Sequence, residues 1–280
     1  MMDKLTDWIG RTTESTEWLD PWRAQAMHAT LDAPDAAPSA GAALPACWHW
    51  LYFLEAVPLR ELGSDGHPAR GGFLPPVPLP RRMWAGSRLE FLAPLVLGAA
   101  VRKSSRVAAV EEKAGRSGKL CFVTVEHETY SGSELAIRER QDIVYREASR
   151  EDRSVRADRA PSGAQYERTW TLDTPRLFRY SALTFNSHRI HYDRDYATTE
   201  EGYPGLVVQG PLLALMMLEL LRQSFPAHRV LTFEFRALVP VFDDGKPVHV
   251  CAAADAGRVT LWVADADGGL HMRGTASLSA

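Results

Sequence analysis

The chain has 280 residues, 45% of them hydrophobic and 24% charged, with a net charge of -3. That is enough material for a sizeable core in one or two units, and the near-neutral balance excludes a global basic field directed at nucleic acid. No apolar run approaches the roughly 20 residues that span a bilayer, and Met1–Trp8 lacks the apolar core of a secretory signal. Cys47, Cys121 and Cys251 are odd in number and far apart. They read as small buried hydrophobes in a reducing cytoplasm rather than as a disulfide framework or zinc knuckle.

In chain order, the first expected element is a helix over Asp20–Leu31, with Asp20 as N-cap and Pro21 in the first helical position. The Ala- and Pro-rich stretch from Ala33 to Ala46 reads as a loop. Cys47–Leu54 is short and aromatic and reads as a degenerate core segment, with His49 between Trp48 and Trp50 a satisfied core histidine. Four strands follow, Arg88–Leu92, Ala99–Val110, Leu120–Tyr130 and Glu134–Tyr145, with alternation visible in Leu120, Phe122, Val123 and Val125. Residues 146–165 are charged, poor in apolar side chains and end in Pro161-Ser162-Gly163, the composition of a linker. The arginines from Arg150 to Arg159 are interrupted by acids, which favours a solvated linker over a nucleic-acid patch.

Beyond the linker, Leu206–Phe225 is apolar nearly all round and reads as a buried helix, with Pro211 in its first turn and Pro226 ending it. Strands are expected at Val230–Val239, Pro247–Ala254, Val259–Ala264 and Gly269–Leu278. The Asp-Asp-Gly, Asp-Ala-Gly and Asp-Gly-Gly segments between them favour hairpin turns. The two halves echo each other: Leu89-Glu90-Phe91 precedes Pro94, and Phe233-Glu234-Phe235 precedes Pro240. This suggests a duplicated unit, with an N-terminal part over 1–145, the linker over 146–165 and a C-terminal part over 166–280.

The chemistry concentrates in Phe185-Asn186-Ser187-His188-Arg189-Ile190-His191-Tyr192-Asp193, followed by Gly202-Tyr203-Pro204-Gly205 and the apolar helix. Polar groups able to hold and deprotonate water stand close in sequence to a helix N-terminus, whose unpaired N–H groups can polarise a carbonyl. That combination points to acid/base chemistry on an acyl group. A metal site is the rival reading, because His188 and His191 are three apart with Asp193 nearby. No third ligand recurs at metal-site spacing, so no metal is expected. Tyr192 and Tyr203 read as packing residues.

These two motifs, together with Arg82-Met83-Trp84-Ala85-Gly86-Ser87-Arg88-Leu89-Glu90-Phe91, resemble the MaoC-like hydratase/dehydratase superfamily. The resemblance is to the branch with itaconyl-CoA and mesaconyl-C4-CoA hydratases and type 2 hydroxyacyl-thioester dehydratases. It implies an α+β double hotdog: two antiparallel sheets, each wrapped on a helix. The first unit would have lost its catalytic residues and serve as a wall of the acyl-CoA tunnel.

The resemblance further implies that Asn186 stands where the superfamily's hydratase motif places an Asp, five residues before His191. An amide cannot take a proton at neutral pH, so Asn186 would orient water and His191 would act as base. The Gly210 N–H would bind the thioester oxygen, and Gln209 occupies a position where His is more usual. Arg189 reads either as a receptor for a substrate carboxylate or as an ion-pair partner of Asp193 or Asp195. His188 joins the substrate-binding candidates, and Trp84 with Arg81-Arg82 either lines a CoA channel or supports the fold.

The expected reaction is reversible addition of water to a short branched dicarboxylic enoyl-CoA, itaconyl-CoA or mesaconyl-C4-CoA. The alternatives are a hydroxyacyl-thioester dehydratase of fatty-acid metabolism and a non-catalytic acyl-CoA binding protein. The CoA thioester would be the substrate and no cofactor would be needed. The partners expected are the acyl-CoA, no nucleic acid and no membrane, in a monomeric pseudo-dimer or a homo-oligomer.

Overall fold

The computed structural model describes residues 4–115, 118–147 and 157–280. The elements in chain order are β1 (Thr12–Trp18), α1 (Pro21–Leu31), β2 (Arg81–Phe91), β3 (Ala100–Gly115), β4 (Gly118–Ser131), β5 (Glu134–Arg146), β6 (Tyr166–Thr171), α2 (Thr174–Leu183), α3 (Gly210–Ser224), β7 (Val230–Ala237), β8 (Pro247–Asp255), β9 (Arg258–Asp265) and β10 (Leu270–Leu278). The strands form one antiparallel sheet in the order β1-β3-β4-β5-β2-β7-β10-β9-β8-β6. Read inward from either edge, the two halves follow the same scheme. The first strand of each half is the outer edge, the third, fourth and fifth follow as hairpins, and the second lies at the centre. This is the duplicated unit that the echoing motifs suggested, in the double-hotdog arrangement that the resemblance implied.

The echoing tripeptides meet where the halves join. Leu89 stands opposite Phe233 and Arg88 opposite Glu234 in the β2–β7 ladder. The contact is tight: a Cβ on Gly86 would lie 2.3 Å from the Phe235 carbonyl oxygen, so only glycine fits there. The Arg88–Glu234 ion pair, at 2.7 Å, closes the outer face of this seam.

The predicted buried helix is α3, starting at Gly210 rather than Leu206 because Leu206–Gln209 runs extended. Val207 N–H bonds the Ile190 carbonyl and Val208 N–H that of Val241. Every residue from Leu212 to Leu221 is buried, including Glu219, as a helix apolar on all sides requires. The Arg222 guanidinium holds Glu219 at 2.8 Å, so the buried carboxylate is paired.

In the first half, Cys47–Leu54 is a core segment as read, with Cys47, Trp48, Leu51 and Tyr52 buried. It forms a 3-10 turn over Trp48–Leu51, and α1, capped by Asp20 through a hydrogen bond from Trp22 N–H at 3.0 Å, is that half's helix. His49 does sit in the core, 4% exposed. Its Nε2 lies 3.2 Å from Glu139, which also accepts from Trp50 and Ser87 at 3.0 and 2.8 Å. All three cysteines are free and buried.

Three elements escaped the sequence reading. The edge strand β1 is mostly exposed and lacks an apolar face; β6 is six residues long and turns only Tyr166 and Trp170 toward the core. The helix α2 does carry a start signal, Asp173 as N-cap accepting from Arg176 N–H at 3.1 Å, with Pro175 in the first turn. Of the expected linker, residues 148–156 lie outside the described residues. Its end is tied down: Leu270 N–H bonds the Asp158 carbonyl at 2.7 Å and Ala160 N–H that of Gly268 at 2.9 Å. Among the described residues no helix is long and apolar enough to cross a membrane.

Candidate active site

The segment between α2 and α3 builds the site. Asn186 makes an Asx-type turn, its Oδ1 accepting from His188 N–H at 3.0 Å. A 3-10 turn over Arg189–His191 then buries Ile190 and His191. The Val207 carbonyl lies 2.7 Å from His191 Nδ1, which fixes Nδ1 as the protonated nitrogen and leaves the lone pair on Nε2. Val207 is itself held, because Asp243 accepts from Leu206 N–H at 2.8 Å and pairs with Arg194.

A cavity of about 530 Å³ opens against this segment. Asn186, His188, His191, Gln209, Gly210 and Trp84 all line it, as do Arg81 and Arg82, so of the groups singled out for the site or the channel Arg189 alone stays outside. His191 Nε2 and Asn186 Nδ2 have no protein partner among the described residues. The start of α3 presents one N–H: Gly210 supplies it, Pro211 has none, and the N–H groups of Leu212 and Leu213 both bond the Gln209 carbonyl. A Cβ on Gly210 would meet only the Met272 methyl at 3.9 Å. Burial lowers His191 to about 4, against an opposing push from the Val207 bond, with the His67 charge lowering it further. The imidazole is therefore neutral at pH 7, the form a general base requires.

Arg189 is the exception. Its Nε and Nη2 both bond one oxygen of Asp193, at 2.9 and 2.8 Å, Nη1 bonds the Ser64 carbonyl at 3.1 Å, and the guanidinium lies over the Tyr196 ring at 4.1 Å. It does not line the cavity; of the two readings, the ion pair with Asp193 is the one realised. Gln209 reaches the cavity wall, yet its amide nitrogen is spent on α2, bonding the Leu177 carbonyl and Ser181 Oγ at 3.0 and 2.9 Å. Its Oε1 is buried without a partner, so no donor replaces the usual His there. The Trp84 indole N–H is held by the Gly86 carbonyl and Ser87 Oγ at 3.1 and 3.0 Å, which leaves its ring to form the wall. Tyr203 also lines the cavity, where the reading had only packing.

The sequence reading missed the contribution of the first half. The turn Asp65-Gly66-His67 docks on the Asn186–His191 segment: Arg189 N–H bonds the Asp65 carbonyl at 2.9 Å and the Ser187 hydroxyl bonds that of Gly66 at 2.5 Å. Gly66 has φ +86°, and a Cβ there would stand 1.9 Å from Ser187 O, so the approach depends on glycine. Asp65 accepts from His67 Nδ1 at 3.0 Å, and the His67 ring lies 4.0 Å from His188, which is 5.3 Å from His191, centroid to centroid. Burial depresses both His67 and His188, the latter to about 2; the charges of Arg82 and Arg70 act in the same direction on His67, against Asp65, and those of His67 and His191 on His188. Two metal-type ligands absent from the local spacing are supplied from far along the chain: Asp65 and His67 join His188, with atoms within 4.8 Å of one another. This is not the set formed with Asp193, whose carboxylate is held by Arg189 and Tyr196 N–H. The sequence signal was an Asp-Gly turn carrying an imidazole.

In this double hotdog a buried histidine and a helix N-terminus face one cavity. A profile of the type 2 hydroxyacyl-thioester dehydratases matches residues 47–243. The chain belongs to that family. It is 44% identical over 272 residues to the mesaconyl-C(4)-CoA hydratase of Chloroflexus aurantiacus, covering 97% of this chain and 96% of that one. Two solved structures share the fold: a MaoC-like dehydratase (TM-score 0.71, 14% identity, 98% and 99% of the two chains) and a Mycobacterium tuberculosis protein with a double hotdog fold (TM-score 0.60, 12% identity, 97% and 96%).

Proposed function

We propose that this chain adds water reversibly to a short branched dicarboxylic enoyl-CoA of the mesaconyl-C4-CoA type. His191 is the base and proton carrier, Asn186 the water-orienting amide and Gly210 N–H the donor to the thioester oxygen. His191 Nε2 takes a proton from water as the oxygen bonds to the β-carbon. The π-electrons move into the thioester, forming an enolate, and the imidazolium returns the proton to the α-carbon. Water supplies both added groups, so the step needs no metal or redox cofactor. The enolate charge develops on an oxygen beside Gly210 N–H, and one such fixed donor contributes about 2.7–4 kcal/mol to the barrier reduction.

The observation that carries this reading is the pairing of His191 Nδ1 with Val207 O, which leaves the opposite nitrogen unprotonated in the shared cavity. The kinship with a mesaconyl-C(4)-CoA hydratase supports the substrate class. Both halves of the chain line the cavity, which supports a pseudo-dimer whose first half is catalytically silent and acts as a wall. Three buried free thiols support a cytoplasmic setting.

The test is hydration of mesaconyl-C4-CoA, itaconyl-CoA and crotonyl-CoA by the purified chain. A kcat/KM at least tenfold higher for the carboxylated thioesters supports the reading; preference for crotonyl-CoA or longer straight chains points to fatty-acid dehydration instead.

A further inference from the structure

With Arg189 turned away, the cavity holds another guanidinium. We infer that Arg82 is the receptor for the free carboxylate that the proposed substrate carries on its β-carbon. This deepens the hydration reading and rests on it. In mesaconyl-C4-CoA the second carboxylate is bonded directly to the carbon that water attacks. Its receptor must therefore share the cavity with His191 rather than stand at the CoA end.

Arg82 meets that requirement. It lies on β2, half-buried, and lines the same cavity as His191, Asn186 and Gly210. Its charge is felt by both His67 and His188, the two imidazoles ranged beside His191. Across the ladder it stands opposite Tyr145, whose buried hydroxyl it hydrogen-bonds.

Two of the neighbouring guanidiniums are otherwise employed. Arg81 pairs with Glu201 at 3.1 Å, and Arg70 bonds the Val77 and Pro80 carbonyls at 2.5 and 2.7 Å. Arg82 has no carboxylate partner among the described residues. Of the three acids lining the cavity, Asp65 is held by His67 and Glu201 by Arg81, and the exposed Glu55 makes no ion pair with Arg82 among the described residues. A half-buried cation without a counter-ion, beside neutral imidazoles, favours an anion of the ligand. A planar fork suits a carboxylate. Arg82 also offsets the repulsion between that carboxylate and the enolate charge that grows two carbons away.

The test compares binding of succinyl-CoA and butyryl-CoA by calorimetry. These differ by a carboxylate or a methyl on the β-carbon and share the same CoA, so the phosphates cancel. Wild type is expected to prefer succinyl-CoA, and Arg82→Gln to reduce that preference about 30-fold. Arg82→Lys should keep part of the preference, because the charge remains and the fork is lost. Wild-type preference retained in Arg82→Gln overturns the inference. So does an equal loss of affinity for both thioesters, which marks Arg82 as a CoA-phosphate contact. Should Arg82→Gln not fold, Arg82→Lys decides, and preference equal to wild type overturns the assignment. A wild-type chain that binds both thioesters equally refutes the dicarboxylate reading itself.

Discussion

His49 and His191 are buried almost alike, 4% and 7% exposed, and lie in halves with the same strand order. Their chemistry diverges because of what each nitrogen meets. In the first half His49 Nε2 lies against Glu139, whose other hydrogen bonds come from Trp50 and Ser87. Burial alone would raise Glu139, but the His49 hydrogen bond and charge, helped by His127 and Trp50, bring it down to about 2. That carboxylate is a fixed core anion. In the second half His191 gives Nδ1 to a backbone carbonyl and keeps Nε2 for the cavity. Each ring thus has one paired nitrogen; the other nitrogen of His49, Nδ1, is sealed in the core without a partner, whereas that of His191 opens on the cavity, and this decides which imidazole is a strut and which a base.

Substituting each histidine breaks the comparison most sharply. His191→Ala is expected to remain folded and to lose 10²- to 10⁴-fold in kcat for hydration, the usual contribution of a positioned acid/base; steady-state kinetics on mesaconyl-C4-CoA checks this. His49→Ala is expected to keep its kcat but lose about 3 kcal/mol of stability in urea melts, because Glu139 stays buried without its partner. The smallest effect belongs to Arg189→Ala, which removes a half-exposed ion pair with Asp193. Stability should fall by less than about 1 kcal/mol, and KM for the carboxylated thioester should hold within a factor of about three, well below the tenfold that 1.4 kcal/mol would give.

The paired halves and the long helix were legible in the sequence because hydrophobic periodicity and Asp/Gly turns report local structure directly. Asn186, His191 and Gly210 were legible because they lie in one continuous segment beside that helix. The docking of Asp65-Gly66-His67 was not, since it depends on a close approach between turns 121 residues apart along the chain. Arg189 and Arg82 show the same limit. Both are cations near a motif; the sequence offered Asp193 as a partner for one, and the fold decides that this pairing is made and that the other faces the cavity. The edge strand β1 lacked an apolar face to read, because it gains its ladder from β3 rather than from core burial, and β6 offered only Tyr166 and Trp170 within six residues.

Titration of the His191 ring nitrogens by ¹⁵N NMR addresses the central claim directly. Burial places the folded value at about 4, below the unfolded value of about 6.5. The ring should then hold its proton on Nδ1 and none on Nε2 at pH 7, and become doubly protonated only as pH falls toward 4. Stability should decline over the same window, from below pH 6.5, because the unfolded chain takes up the proton first. A ring that is already an imidazolium at pH 7, or that carries its single proton on Nε2, would contradict the account.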